Sequence, residues 1–152
     1  MRRKLITVIL LFLSAAALYS TNKITTNYYS RNFYNVSITA DKTDVVLGKD
    51  DESAIINVSL VNNSRKFITN TNNVFLAYHI VDRYGNDILY DSLRYNFPDI
   101  KPFNKQEAIP VTVLNINKPG EYILQLDMVE EGVTWFSQKG NPMYEINLQI
   151  ND

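Results

Sequence analysis

From Phe33 to the end of the chain, apolar side chains recur at every second position rather than every third or fourth. The last run shows it most clearly: Tyr144, Ile146, Leu148 and Ile150 alternate with Glu145, Asn147 and Gln149. Tyr122, Leu124, Leu126 and Met128 alternate in the same way with Ile123, Gln125, Asp127 and Val129, and Ile56, Val58 and Leu60 share one side of an earlier run. Period two sends successive side chains to opposite faces of a strand, so one face is buried and the other is wet, as in an antiparallel sheet. Strands are expected at 35–40, 54–62, 74–82, 88–95, 108–116, 122–130 and 143–150, with a short piece at 134–137. Turn chemistry separates them at 47–51, 62–65, 84–87, 118–120 and 139–142, where Gly, Asn, Asp and Pro gather. No stretch after residue 32 carries a helical face. Seven or eight short strands at this spacing predict an all-β, immunoglobulin-like antiparallel two-sheet sandwich. A chain of 152 residues holds one such domain, expected at 33–152.

The first twenty residues are of another kind. Arg2-Arg3-Lys4 precedes an apolar run from Leu5 to Leu18, and small residues follow at Ser14-Ala-Ala-Ala17. That is the layout of a secretory signal peptide. The rival reading is an uncleaved anchor, although a spanning helix wants about 20 apolar residues and this run is shorter. Either way the remainder is expected outside the cytoplasm: secreted, periplasmic or held by the N-terminal helix. The membrane is met only through that segment, if it is not cleaved. Residues 21–32 are polar and aperiodic and read as a linker.

Charge and composition exclude several functions. Net charge is −1; without residues 1–20 there remain 12 basic against 16 acidic residues. A nucleic-acid binder needs a basic surface to neutralise phosphates, so no nucleic-acid partner is expected. The absence of cysteine removes disulfides, thiolate nucleophiles, cysteine-zinc sites and lipoprotein acylation. With a single histidine, His79, no zinc site is expected. His79 is read as an exposed strand residue, and no nucleophile-elbow motif accompanies it. Asp127, Glu130 and Glu131 are close in sequence, but a solvated strand face accounts for them better than a glycosidase pair does. Lys49-Asp50-Asp51-Glu52 lacks calcium-loop spacing and reads as an acidic turn. The chain is therefore expected not to be an enzyme and to use no cofactor and no metal.

The stretch 119–140 is the most distinctive. Pro119-Gly120-Glu121-Tyr122 places a tyrosine at the start of a strand, where such sandwiches carry a tyrosine corner: the ring in the core and the hydroxyl on backbone of the preceding loop. Glu131-Gly132-Val133-Thr134-Trp135-Phe136 then reverses the chain, with Gly132 supplying the backbone freedom. Val133, Trp135 and Phe136 are expected to pack across the open end of the sandwich.

These pieces, with Leu76-Ala-Tyr78-His79-Ile-Val-Asp82 and Ile100-Lys-Pro102, resemble the C-terminal polysaccharide-binding β-sandwich domain of O-antigen ABC-transporter ATPases and related bacterial immunoglobulin-like modules. The likeness runs over about 55–150. It departs in having Phe67 where the modules carry a tryptophan, and in a secretion signal where they are fused to an ATPase or transferase. It implies a sandwich fold and a polysaccharide partner.

The resulting expectation is a non-catalytic extracytoplasmic module that binds glycan or protein at the bacterial cell envelope. The candidate contacts are Trp135, Tyr84, Tyr90 and Asp127, with Tyr122 and Gly132 structural. The alternative is an assembly module that docks a partner protein through a sheet edge or an aromatic face.

Overall fold

The computed structural model describes residues 33–152. The expected signal or anchor at 1–20 and the linker at 21–32 lie outside the described residues. The described chain runs β1 (Val36–Ala40), β2 (Asp44–Leu47), β3 (Ser53–Asn62), β4 (Val74–Asp82), β5 (Asp87–Leu89), β6 (Lys105–Leu114), β7 (Gly120–Glu130), β8 (Thr134–Trp135) and β9 (Tyr144–Ile150). Two single 3₁₀ turns, Asn70–Asn72 and Ser137–Lys139, complete it.

The strands form two sheets. The smaller has the order β1-β3-β6, and the larger has the order β2-β9-β7-β4-β5 with β8 added to β7. All pairs are antiparallel except β2 with β9, which is parallel. The first stretch of chain is thus split between the sheets: β1 joins β3, and four residues later β2 joins β9. The molecule is an immunoglobulin-like two-sheet β-sandwich. Its core is what the alternation marks out. Ile56, Val58, Leu60, Val111 and Val113 of the smaller sheet meet Leu76, Tyr78, Ile80, Leu124, Leu126, Met128, Ile146 and Leu148 of the larger.

Three sequence expectations are corrected. No strand is expected between 40 and 54, and β2 forms there; its partner is β9, about a hundred residues away, and four residues carry too little pattern to announce that. The expected strand 88–95 stops at Leu89. Beyond it the Ser92 hydroxyl, rather than a strand, accepts the Tyr78 N–H at 2.8 Å, and the chain bows out over the sheet before Tyr95 exchanges backbone bonds with Leu76. There are nine described strands, not seven or eight.

β6 is an edge strand, and its edge is closed. The Asn115 N–H reaches back to Glu52 O at 2.9 Å, so the even-numbered positions before it point their backbone groups away from β3. Pro110 has no N–H to offer there, the Tyr95 hydroxyl donates to Thr112 O at 2.5 Å, and the Leu114 N–H donates to the Tyr78 hydroxyl at 3.2 Å. A bulge at 107–108, with Ala108 at φ 55, twists the start of the same strand.

At the β6–β7 corner the Tyr122 hydroxyl donates to Lys118 O at 3.1 Å, and the ring is buried. A side chain on Gly120 would place its Cβ 3.0 Å from the Tyr122 hydroxyl and 3.2 Å from two ring carbons, so the ring's close approach requires glycine. Gly132 turns the chain between β7 and β8 at φ 75, closed by the Val133 N–H on Glu130 O at 2.9 Å.

Candidate functional site

The outward faces of β4 and β7 are only partly wet. On β4 they present Phe75, Ala77 and His79, directly opposite Val129, Asp127 and Gln125 of β7. Trp135 pairs with Val129 and lies on this outer face, where Ala77, Val129 and Trp135 form a second, small apolar cluster flanked by Phe75. Alternation along β8 then sends Phe136 inward, fully buried, with its edge on Tyr34 at 4.9 Å. Trp135 therefore does not pack across the end of the sandwich, and Val133 stands in solvent at 66% exposure.

The Trp135 ring is 8% exposed because three side chains cover it. The His79 ring lies 4.3 Å away, the Tyr90 ring meets it edge-on at 6.0 Å, and the Arg94 guanidinium sits 5.3 Å over its face. Arg94 is held there by Glu131 at 2.6 Å, Asp91 at 2.5 Å and the Ser92 carbonyl at 2.8 Å. Cation–π contact and fixed ion pairs make this a settled lid.

Asp127, on the same outer face opposite Ala77, has no exposed surface, which corrects its reading as a solvated carboxylate. Its oxygens accept from the Met128 N–H at 2.7 Å and the Ser137 N–H at 3.3 Å. His79 is 5% exposed, which corrects its reading as an exposed strand residue. Its Nδ1 faces the Tyr90 carbonyl, which only accepts, so Nδ1 carries a proton. Nε2 points at Asp127 from 3.8 Å. Both ring nitrogens are thus engaged, and among the described residues no hydroxyl is hydrogen-bonded to His79. Likewise, among the described residues no three His, Asp or Glu converge where a metal ion could sit.

Of the four candidate contacts, the structure brings Trp135, Tyr90 and Asp127 together and leaves Tyr84 apart. Tyr84 is 83% exposed at the β4–β5 turn. That turn is built on Asp82, whose carboxylate takes the Tyr84 and Asn86 N–H groups at 2.8 and 2.9 Å and the Asn86 amide at 2.8 Å. The Asn86 side chain, then its backbone, holds the Asp82 carboxyl below its usual range.

What the outer face offers a ligand is a row of side chains. Tyr90, half-exposed, stands 5.2 Å from His79; His79 is opposite Gln125, and Gln125 is opposite Glu145. The Gln125 amide donates to Glu145 at 2.9 Å, and the Gln138 amide reaches the Tyr90 hydroxyl at 3.4 Å. Gln125, Gln138, Glu145 and Arg94 were not singled out from sequence. Alternation does place Gln125 and Glu145 outward, but their alignment depends on the strand register, and the fold of Arg94 over Trp135 depends on a loop with no pattern.

No family model matches the chain, and no curated protein matches it. Solved structures do. The alkylpurine DNA glycosylase AlkC of Pseudomonas fluorescens, bound to DNA containing an abasic-site analogue, aligns over 78% of this chain with TM-score 0.47 and 11% identity; the chain spans 31% of that one. A solution structure of a CARDB domain from Pyrococcus furiosus aligns over 77% of this chain and 93% of its own, with TM-score 0.48 and 14% identity. The crystal structure of that domain in complex with di-metal ions gives 76% and 85%, TM-score 0.46 and 15% identity. These are likenesses of chain path alone.

Proposed function

We propose that the chain is a non-catalytic, extracytoplasmic sandwich module of the bacterial cell envelope that holds a saccharide on the outer face of β4, β7 and β9. The observation that carries this reading is the row of Tyr90, His79, Gln125 and Glu145, with Tyr90 half-exposed at one end. A sugar presents an apolar face to an aromatic ring and hydroxyls to its sides. Tyr90 supplies the ring; the free carbonyl of Gln125, the second Glu145 oxygen and the Gln138 amide supply acceptors and donors at the flanks. Trp135 and Asp127 hold the platform from below. The resemblance to polysaccharide-binding modules supports the same ligand class, and the apolar N-terminal run supports the envelope location.

Docking a partner protein through a sheet edge is the weaker reading, because the long β6 edge is closed by Pro110, Tyr95 and Tyr78. The test is a glycan array probed with the full chain and with Tyr90→Ala. Retention of a polysaccharide that falls about tenfold or more in Tyr90→Ala is expected. Retention unchanged by Tyr90→Ala and Gln125→Ala overturns the site, and the absence of any retained glycan overturns the reading.

A further inference from the structure

One end of the sandwich combines exposed phenylalanines with most of the nearby positive charge. Asn62, the last residue of β3 and fully buried, organises it. Its side-chain amide donates to the carbonyls of Lys66 at 2.8 Å, Ile100 at 3.0 Å and Lys101 at 3.2 Å, and its backbone N–H donates to Asn104 O at 2.9 Å. Two loops, 63–68 and 99–105, are clamped side by side, and Ile68 and Ile100 exchange backbone bonds between them at 3.1 and 2.9 Å. The loops present Arg65, Lys66, Phe67, Lys101, Phe103 and Lys105, all exposed.

Phe67 is 50% exposed and Phe103 is 67% exposed. Phe103 is also strained. It is the third residue of a turn closed by the Asn104 N–H on Lys101 O at 3.1 Å, with φ 59, a position that favours glycine or asparagine. A bulky ring held outward on a left-handed backbone has no packing to explain it. The acids on these loops and the start of β6 are Asp99 and Glu107, and Glu107 pairs with Lys105; Glu130 and Glu131, at the end of β7, are held by Tyr34 and Arg94. The opposite end carries Asp41, Asp44, Asp50, Asp51, Glu52, Asp82, Asp87 and Glu121 against Lys42, Lys49, Arg83 and Lys118. The opposite end is therefore the acidic one, and the two clamped loops carry Arg65, Lys66, Lys101 and Lys105 against Asp99 and Glu107.

The chain enters the fold at that same end. Val36 is opposite Asn62, and the Asn63 N–H donates to Asn35 O at 2.9 Å.

We propose that this end docks on an anionic lipid surface. Phe67 and Phe103 enter the boundary between headgroups and acyl chains, and Arg65, Lys66, Lys101 and Lys105 lie against the headgroup phosphates. A soluble polyanion accounts for the charge but not for two solvent-facing phenyl rings, one of them on strained backbone; a bilayer accounts for both. The proposal rests on the envelope location above and not on saccharide binding.

Because the chain lacks cysteine, Phe103→Cys and, at the far end, Tyr84→Cys each create a single labelling site. The full chain, with an environment-sensitive fluorophore at one or the other, is combined with vesicles of phosphatidylglycerol and phosphatidylethanolamine or of phosphatidylcholine alone, each doped with brominated lipid as quencher. In the anionic vesicles the label at 103 shifts to the blue and is quenched, reverting at high salt, while the label at 84 stays water-like. Lys101→Gln lowers the ratio of docked to undocked protein roughly fivefold. A label at 103 that is as unquenched as the one at 84 overturns the proposal. So does quenching that is equal in both vesicle types and unmoved by Lys101→Gln. A blue shift produced by a soluble acidic polysaccharide and not by vesicles identifies the other partner and overturns it too. Tyr90→Ala is expected to leave the lipid signal intact, so this proposal and the saccharide site fail independently.

Discussion

Asp127 and Trp135 carry the distinction between a side chain that points outward and one that is exposed. Both lie on the outer face of the larger sheet, and both are buried: Arg94 closes over Trp135, and the turn after β8 brings the Ser137 N–H onto Asp127. Trp135 is thus a packing residue of a second small core. Trp135→Ala is expected to lower stability by about 3–5 kcal/mol, the range for removing a large buried ring. Tyr90→Ala, at a half-exposed ring, is expected to cost clearly less. Urea unfolding of the two variants decides this: equal midpoint losses would mean that Tyr90 belongs to the core and is no ligand platform. Alternation read the direction of Asp127 and His79 correctly and their environment wrongly. Direction is a local property of the strand, whereas burial depends on what later folds over it. Here the cover is a two-residue strand and a patternless loop, neither of which advertises itself in sequence.

At the scale of elements, legibility follows unbroken alternation: β1 falls within a residue of its expected 35–40, whereas β6, interrupted by the bulge at 107–108, runs over Lys105–Leu114 where 108–116 is expected. β3, β4, β7 and β9 have seven or more residues and one consistently apolar side, and each falls within a residue or two of its expected limits. β2 and β5, with four and three residues, exist because β9 and β4 present free edges to them, a long-range cause that leaves little local pattern. The β6–β7 corner lies between these cases. Its sequence, Lys118-Pro-Gly-Glu-Tyr122, is legible because the geometry leaves little choice: Gly120, at φ 152, sits where a Cβ would press on the Tyr122 hydroxyl. Gly120→Ala is expected to destabilise by about 2 kcal/mol, combining backbone strain with that contact. The mechanism makes a further demand. In a Tyr122→Phe background the 3.0 Å contact is gone, so Gly120→Ala should cost less there, although the 3.2 Å ring contacts remain. A double-mutant cycle measures the coupling, and strict additivity would remove the hydroxyl contact from the account.

The whole molecule is held together partly by phenols that join its parts. Tyr78, in the larger sheet, accepts the Leu114 N–H of the smaller one, and Tyr95 donates to Thr112 O at the same edge. Tyr34, just before β1, donates to Glu130 at the end of β7 at 2.6 Å. Each of these hydroxyls resists ionisation. Burial is the first cause for all three; the Glu130 carboxylate adds to it for Tyr34, whose pKa is pushed up to about 12, and the neighbouring Tyr78 adds to it for Tyr95. The sign of the linkage follows. Below the ordinary phenol value of 10.0 both folded and unfolded chains keep these protons, and stability is indifferent to pH on their account. Above it the unfolded chain releases protons that the folded chain retains, so the unfolded state is favoured and stability falls as pH rises toward the folded values. Urea midpoints measured from pH 8 to 11.5 are therefore expected to bend downward near 10, with a shallower fall in Tyr95→Phe, and the variants should be compared at fixed salt and equal pH so that screening is the same for each. A bend that is the same in Tyr34→Phe, Tyr95→Phe and the unsubstituted protein would mean that the inter-sheet phenols do not gate alkaline unfolding, and that the two sheets are held by their apolar faces alone.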